Sequence, residues 1–122
     1  MQEPEPTDIA EKILKMTEAL APAHVQLRNA ASEFAVKKAE YSKDLGLCQM
    51  KLNGGKTMIL EGESITDPKM AVIKDVAKGL CWESELAFLQ AEASYKVAVS
   101  KIESIRAKLM GYQSIYKHLS KL

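Results

Sequence analysis

The chain has 122 residues, 47% of them hydrophobic, and its 17 Lys and Arg nearly balance its 16 Asp and Glu. This length predicts one domain, and the near-neutral balance excludes an acidic nucleic-acid mimic and a histone-like polycation. The charge is nevertheless segregated, because residues 94–122 carry six basic residues and one acid. No stretch approaches the roughly 18 unbroken apolar residues of a membrane span, and the start lacks the pattern of a signal peptide, so we expect a cytoplasmic protein.

The first half of the chain predicts helix. Residues 1–7 are polar and proline-rich and are expected to form a flexible tail, and Asp8 can cap a helix together with Glu11. Apolar residues then recur at helical spacing as far as residue 52, but Pro22 lacks a backbone donor and disfavours helical geometry in the residue before it. We therefore predict N-terminal helices over residues 8–52, with a kink near Pro22.

Residues 53–66 are predicted to form a loop. The glycines Gly54 and Gly55 are typical of a helix C-terminus, where the chain adopts a left-handed conformation. The run from Thr57 to Leu60 fits either a loop packed on the helix ends or a short strand, and the loop is favoured. Asp67 and Pro68 then resemble a helix start, with a capping carboxylate and a proline in the first turn.

Residues 67–121 predict one long C-terminal helix, with Gly79 as its weak point. Apolar residues recur there at alternating spacings of four and three, which is the heptad pattern of a coiled coil. The predicted seam for the hairpin or an oligomer comprises Phe88, Tyr95, Ile102, Ile105, Leu109, Tyr112 and Tyr116.

Several apolar residues lie off this seam, namely Leu86, Leu89, Val97 and Val99. They require a second contact surface, provided by another subunit or by a third packed helix. The sequence as a whole therefore predicts an all-α fold: a long, coiled-coil-like helical hairpin with a short kinked N-terminal helix, assembled as a homo-oligomer.

Chemical motifs are scarce. The segment from Gly54 to Thr57 ends like a phosphate-binding loop, but it lacks the upstream glycine and follows a predicted helix, so a helix-terminating turn is favoured. The two histidines, His24 and His118, have no neighbouring ligands at metal-binding spacing and are read as solvated. We expect no catalytic residues, metal or cofactor, and therefore no enzyme.

The two cysteines, Cys48 and Cys81, stand among apolar residues at helical spacing. Reduced thiols in the core are the favoured interpretation, and a disulfide or a metal site is the alternative.

Basic residues are the remaining candidates for a binding surface. The residues that we select as nucleic-acid contacts are Lys37, Lys38, Lys43, Arg106 and Lys108, and Lys101, Lys117 and Lys121 extend the basic series on the last helix. The alternative is that these residues only keep a heptad seam soluble. Tyrosines could stack on unpaired bases, but Tyr41, Tyr95, Tyr112 and Tyr116 follow the apolar stripes, which favours core packing.

The C-terminal segment carries a family resemblance. From Ala107 to Leu119 it reads AKLMGYQSIYKHL, and it follows a helical first half and a glycine-containing loop. In this order of parts the chain resembles small bacteriophage proteins encoded among recombination genes and, more distantly, the UvsY family of recombination mediators. Such mediators are helical, form ring-like oligomers, bind single-stranded DNA and help to load a recombinase in place of a single-strand-binding protein.

The resemblance implies a corresponding role for this chain. The family's basic, aromatic DNA-contacting segment falls on residues 37–43, where Lys38, Ala39 and Tyr41 fit and Glu40 replaces a basic residue. We therefore expect an accessory protein of phage-type recombination or replication, working in the bacterial host cytoplasm with single-stranded DNA and with a recombinase or single-strand-binding protein. The alternative is a protein-interaction module, such as an inhibitor of a host enzyme or an assembly adaptor, whose charges maintain solubility.

Overall fold

The computed structural model of the chain describes residues 5–121. Three α-helices and a two-stranded sheet follow one another in the order α1, β1, β2, α2, α3. Their bounds are Pro6–Asn53 for α1, Met58–Leu60 for β1, Glu63–Ile65 for β2, Met70–Leu80 for α2 and Trp82–Leu119 for α3.

Helix α1 begins earlier than predicted and does not break at Pro22. The Ile9 amide donates to the Glu5 carbonyl, so the helix begins at Pro6 and Asp8 lies inside its first turn instead of capping it. Pro22 lies within the continuous helix. The predicted division into two N-terminal helices is therefore wrong, because one missing donor does not outweigh the apolar burial on both sides of Pro22.

The end of α1 matches the predicted glycine turn. The Lys56 amide donates to the Lys51 carbonyl, and the Gly55 amide donates to the Leu52 carbonyl. Gly55 takes a φ of 76°, which is the left-handed conformation that glycine adopts without steric cost. Together these bonds form a Schellman cap, which satisfies carbonyls that the helix leaves without partners.

A β-hairpin follows α1, in the segment for which the sequence favours a loop. Strands β1 and β2 pair antiparallel, with Met58 opposite Ile65, and the Thr57 and Thr66 hydroxyls bond at 2.6 Å beyond the last pair. Glu61 and Gly62 both have positive φ, which is typical of the tight turn that matches strand twist. The loop prediction for residues 53–66 is therefore wrong over the two strands.

The predicted long helix over residues 67–121, whose continuity through Gly79 the sequence leaves open, is divided into two helices. Asp67 adopts a φ of 52° instead of capping a helix, and α2 begins only at Met70. The helix continues through Gly79, where a side-chain methyl of Leu60 packs so closely that a Cβ would lie 3.2 Å from it. The break comes at Cys81, which separates α2 from α3.

The chain forms two compact units, each containing a segment of α1 and a segment of α3. The terminal unit comprises residues 5–31 and 94–121. Its core consists of Ala23, Ile102 and Ile105, covered by partly buried residues of α1: Met16, Ala19, Leu20 and Leu27. Lys12 lies over the Tyr112 ring, and Lys101 bonds to Gln26, so the two segments run antiparallel.

The central unit comprises residues 32–93. Leu52, Ile73 and Ala77 form its core, and Met58 and Ile65 of the β-hairpin cover it. The packing partners of these residues on α1 and α2 are Leu45, Cys48, Val76 and Leu80. The hairpin therefore covers the core formed by α1 and α2.

The prediction of an all-α helical hairpin is confirmed, with the small β-hairpin as an addition. In both units, low-numbered residues of α1 pair with high-numbered residues of α3. Among residues 5–121, no helix is long and apolar enough to cross a membrane.

Candidate nucleic-acid interface

The three lysines selected on α1 belong to the central unit and do not share one helix face. Successive helical residues are rotated by about 100°, so Lys37, Lys38 and Lys43 spread widely around the axis. Lys37 also lies 3.5 Å from the carboxylate of Glu40. The resemblance to the mediator family implies a basic side chain at position 40, and the carboxylate found there instead partly neutralises the neighbouring lysine. Lys38 and Lys43 are the more available cations of this group, and both are exposed.

The two basic residues selected on α3, Arg106 and Lys108, belong to the terminal unit. Both are exposed, and neither forms an ion pair within the described part of the chain. Two residues apart, they lie about 200° apart around the helix, on opposite edges of its outer surface. Three turns on from Arg106, Lys117 joins the same edge, and Lys101 lies two turns before Lys108 on the other.

The surface between these edges includes the exposed residues Glu103, Met110 and Ile115, and along its middle runs a strip of small, uncharged residues, which we call the small-residue strip. It consists of Ser100, Ser104, Ala107 and Gly111, all exposed. Glu103 is the single acid in residues 94–121. A polyanionic backbone could therefore approach the helix closely along the strip and meet cations on both sides, which is the electrostatic requirement for nucleic-acid binding. The sequence already indicates the basic series that includes Lys101 and Lys117, and helical periodicity adds its division into two edges.

The tyrosines differ in their availability for stacking on bases. The Lys12 ammonium lies 5.5 Å from the centre of the Tyr112 ring and covers it. Tyr41 stacks on Phe88 at 5.7 Å, and its hydroxyl donates to Glu85. Tyr95 is half-buried, whereas Tyr116 is 41% exposed and has the most accessible ring of the four.

The remaining seam residues line the interior of each unit. Ile102 and Ile105 are buried in the terminal unit, and Leu109 is half-buried there. In the central unit, Phe88 is half-buried between Tyr41 and Phe34, whose ring centre lies 5.6 Å from its own.

A cluster of polar groups joins α1 to the start of α3 in the central unit. The Ser84 hydroxyl donates to the Asp44 carboxylate, and the Tyr41 hydroxyl donates to Glu85 over 3.1 Å. Burial, reinforced by the bond to Glu85, raises the pKa of Tyr41 above its usual 10.0. The cluster stabilises the pairing of α1 and α3, because each partly buried polar group has a partner across the two helices.

Both cysteines lie next to this cluster as free thiols, with their sulfur atoms 3.3 Å apart. Burial, with the hydrogen bond to Cys48 and the negative charge of Asp44, raises the pKa of the Cys81 thiol to about 12. No group of three or more potential metal ligands occurs among residues 5–121.

Comparison of the chain with known proteins identifies no relative: no family model, no curated protein and no solved structure matches it.

Proposed function

We propose that this chain is a non-enzymatic accessory protein of phage-type DNA recombination or replication, which binds single-stranded DNA and contacts a recombinase or a single-strand-binding protein. The observation that supports DNA binding best is the outer surface of α3 in the terminal unit. There, Arg106 and Lys108 border a strip of small exposed residues on its two edges. Six basic residues against one acid in residues 94–122 favour binding of a polyanion.

Charge reversal tests this proposal. The variant Arg106→Glu, Lys108→Glu should bind a fluorescent single-stranded oligonucleotide at least about tenfold more weakly at low salt, because two phosphate contacts are lost. The slope of log affinity against log salt concentration should decrease by about 1.4, since each contact on a single strand contributes about 0.7. Fluorescence anisotropy at a series of salt concentrations measures both quantities.

The matched control is Lys69→Glu, Lys74→Glu. Both lysines are exposed in the central unit, so the net charge changes equally while acids are added to the start of α2, where they are tolerated. Equal weakening of DNA binding in the two variants would show that net charge alone governs binding. It would refute the proposal that the outer surface of α3 is the DNA-binding site. Failure of the parent protein to retain the oligonucleotide at low salt would refute DNA binding itself.

We further propose that the protein assembles as a homo-oligomer through an apolar stripe on α3 in the central unit. Trp82, Leu86 and Leu89 are 58%, 47% and 48% exposed, and their spacing of four and three places them on one helix face. Exposed apolar groups in such a row favour burial by a second helix, and a second copy of this chain offers the same stripe.

Light scattering tests the assembly. The parent should show a molar mass that is a multiple of the 13.5 kDa chain mass, and Leu86→Glu, Leu89→Glu should reduce it to that of one chain. The control Val36→Glu alters another half-exposed apolar residue of the same unit and should leave the mass unchanged. A parent that is monomeric would rule out the oligomer.

The same stripe supports a second candidate function, a protein-interaction module, because an exposed apolar helix face also suits a different protein. In that case the oligonucleotide would not change the molar mass measured by light scattering. The chain would remain monomeric until its partner is added.

A further inference from the structure

The cysteine pair lies where three helical segments meet. Cys48 belongs to α1, and Cys81 is the one residue between α2 and α3. The amide of Cys81 donates to the carbonyls of Ala77 and Lys78, and its carbonyl accepts from Glu85, so its backbone is held from both sides. The two sulfur atoms are 3.3 Å apart, whereas a disulfide requires about 2.0 Å. A displacement of roughly 1.3 Å would therefore bring them to bonding distance.

An oxidant can reach this pair from solvent. An open groove of about 390 Å³ has both cysteines in its wall, beside Leu47, Lys51 and Trp82. Cys48 is half-buried and Cys81 is buried, so Cys48 is the more accessible of the two. A small oxidant that enters the groove therefore meets Cys48 first.

We propose that Cys48 and Cys81 form a reversible redox pair, in which a peroxide converts the two thiols to an intramolecular disulfide. The deprotonated sulfur of Cys48 attacks one peroxide oxygen, the O–O bond breaks, and the released hydroxide takes up a proton to form water. Cys81 then attacks the resulting sulfenic acid, an S–S bond forms, and the hydroxyl group leaves with the Cys81 proton as a second water. The two sulfurs together lose two electrons, and the peroxide gains them.

The disulfide would change the mechanics of the central unit. It would close a covalent loop around residues 49–80, which contain the β-hairpin and α2, and would attach the α2–α3 joint to α1. A closed loop restricts the unfolded chain and so stabilises the folded one. This role is independent of DNA binding, since the small-residue strip and the cations on both sides of it belong to the terminal unit.

The experiment treats the full reduced protein with hydrogen peroxide, unfolds it, alkylates the free thiols and measures the intact mass and the peptide masses. We expect no alkylation, and the disulfide-linked peptides that contain Cys48 and Cys81 should have a summed mass lower by about 2 Da, the two hydrogens lost on pairing; oxygen atoms on the exposed methionines are counted separately. A reductant should restore two alkylatable thiols, and the oxidised protein should melt several degrees above the reduced one. Two thiols that remain alkylatable, oxygen atoms that peptide masses locate on Cys48 or Cys81, or a disulfide between two chains would each overturn the proposal.

Two variants separate the roles of the cysteines. In Cys81→Ser, peroxide should leave Cys48 as a sulfenic acid that dimedone traps, because no second thiol resolves it. In Cys48→Ser, Cys81 should stay alkylatable after the same treatment. Rapid dimedone labelling of Cys81, with none of Cys48, would reverse the assigned order of attack. The mass change of the parent protein stands as a test even if a serine variant is poorly folded.

Discussion

Tyr41 and Cys81 share one property: each retains its proton in the folded chain at a pH where it would lose it in the unfolded chain. Burial is the largest cause for both. For Tyr41 the bond to Glu85 adds to it, and for Cys81 the bond to Cys48 does. The neutral forms are therefore the ones that the central unit accommodates.

This property predicts a loss of stability in alkali. Both folded pKa values are raised, so the contribution of Cys81 is fully present below pH 9.0, the ordinary value for the thiol, and is lost as the pH rises towards about 12. The contribution of Tyr41 is fully present below pH 10.0 and is lost at higher pH. Urea unfolding of the reduced protein at several pH values should show a falling free energy of unfolding over this range.

The variant Tyr41→Phe keeps a ring to stack on Phe88 and removes the hydroxyl, so its decline above pH 10.0 should be shallower. Cys81→Ala should flatten the decline that begins near pH 9.0. Parallel curves for the parent and both variants would show that other groups cause the alkaline loss.

Helix α1 illustrates how tertiary packing overrides a local breaking signal. Pro22 is exposed, but its neighbour Ala23 is buried against Ile102 and Ile105. A proline inside a helix costs about 3 kcal/mol, since it removes one hydrogen bond and crowds the carbonyl four residues earlier. The apolar contacts on either side of the proline keep the helix continuous in spite of this cost.

We therefore expect Pro22→Ala to stabilise the protein by about 1–3 kcal/mol, because the new amide can donate to the Glu18 carbonyl. Urea unfolding followed by circular dichroism measures the difference. Pro6→Ala is the matched control: Pro6 is the first residue of the same helix, where no donor is needed, so its replacement should change stability little. Equal effects at the two positions would contradict this account of Pro22.

The helical parts of the fold could be predicted because they depend on local periodicity. The spacing that connects Ile9 with Leu52 and Ala77 with Leu119 is a property of adjacent turns. The positions at which the helices break were harder to predict from the sequence. Gly79 was the predicted weak point of the last helix, but the side chain of Leu60, a residue distant in sequence, packs against it, and the break falls at Cys81.

The candidate sites could likewise be predicted from the sequence only in part. A basic C-terminal segment was visible as composition, but its arrangement as two edges around Ser100, Ser104 and Ala107 depends on which α3 face packs against α1. The proximity of Cys48 to Cys81 depends on contacts between residues 33 positions apart, which spacing within one helix does not reveal.

The two units divide the proposed activities between them. Exposed cations around the strip belong to the terminal unit, and the exposed apolar stripe of Trp82, Leu86 and Leu89 belongs to the central unit. Charge-reversing changes in one should therefore leave the proposed self-association of the other intact, so the DNA and assembly experiments can be interpreted separately.

The antiparallel pairing within the terminal unit also determines how the chain responds to force. Lys12 contacts Tyr112 near the start of α1 and the end of α3, and Gln26 contacts Lys101 further along the two helices. Tension applied between the start of α1 and the end of α3 would load these contacts one after another, and not all together as in shear. The contact between Lys12 and Tyr112 would separate before Ala23 leaves Ile102 and Ile105, so the terminal unit would open in steps.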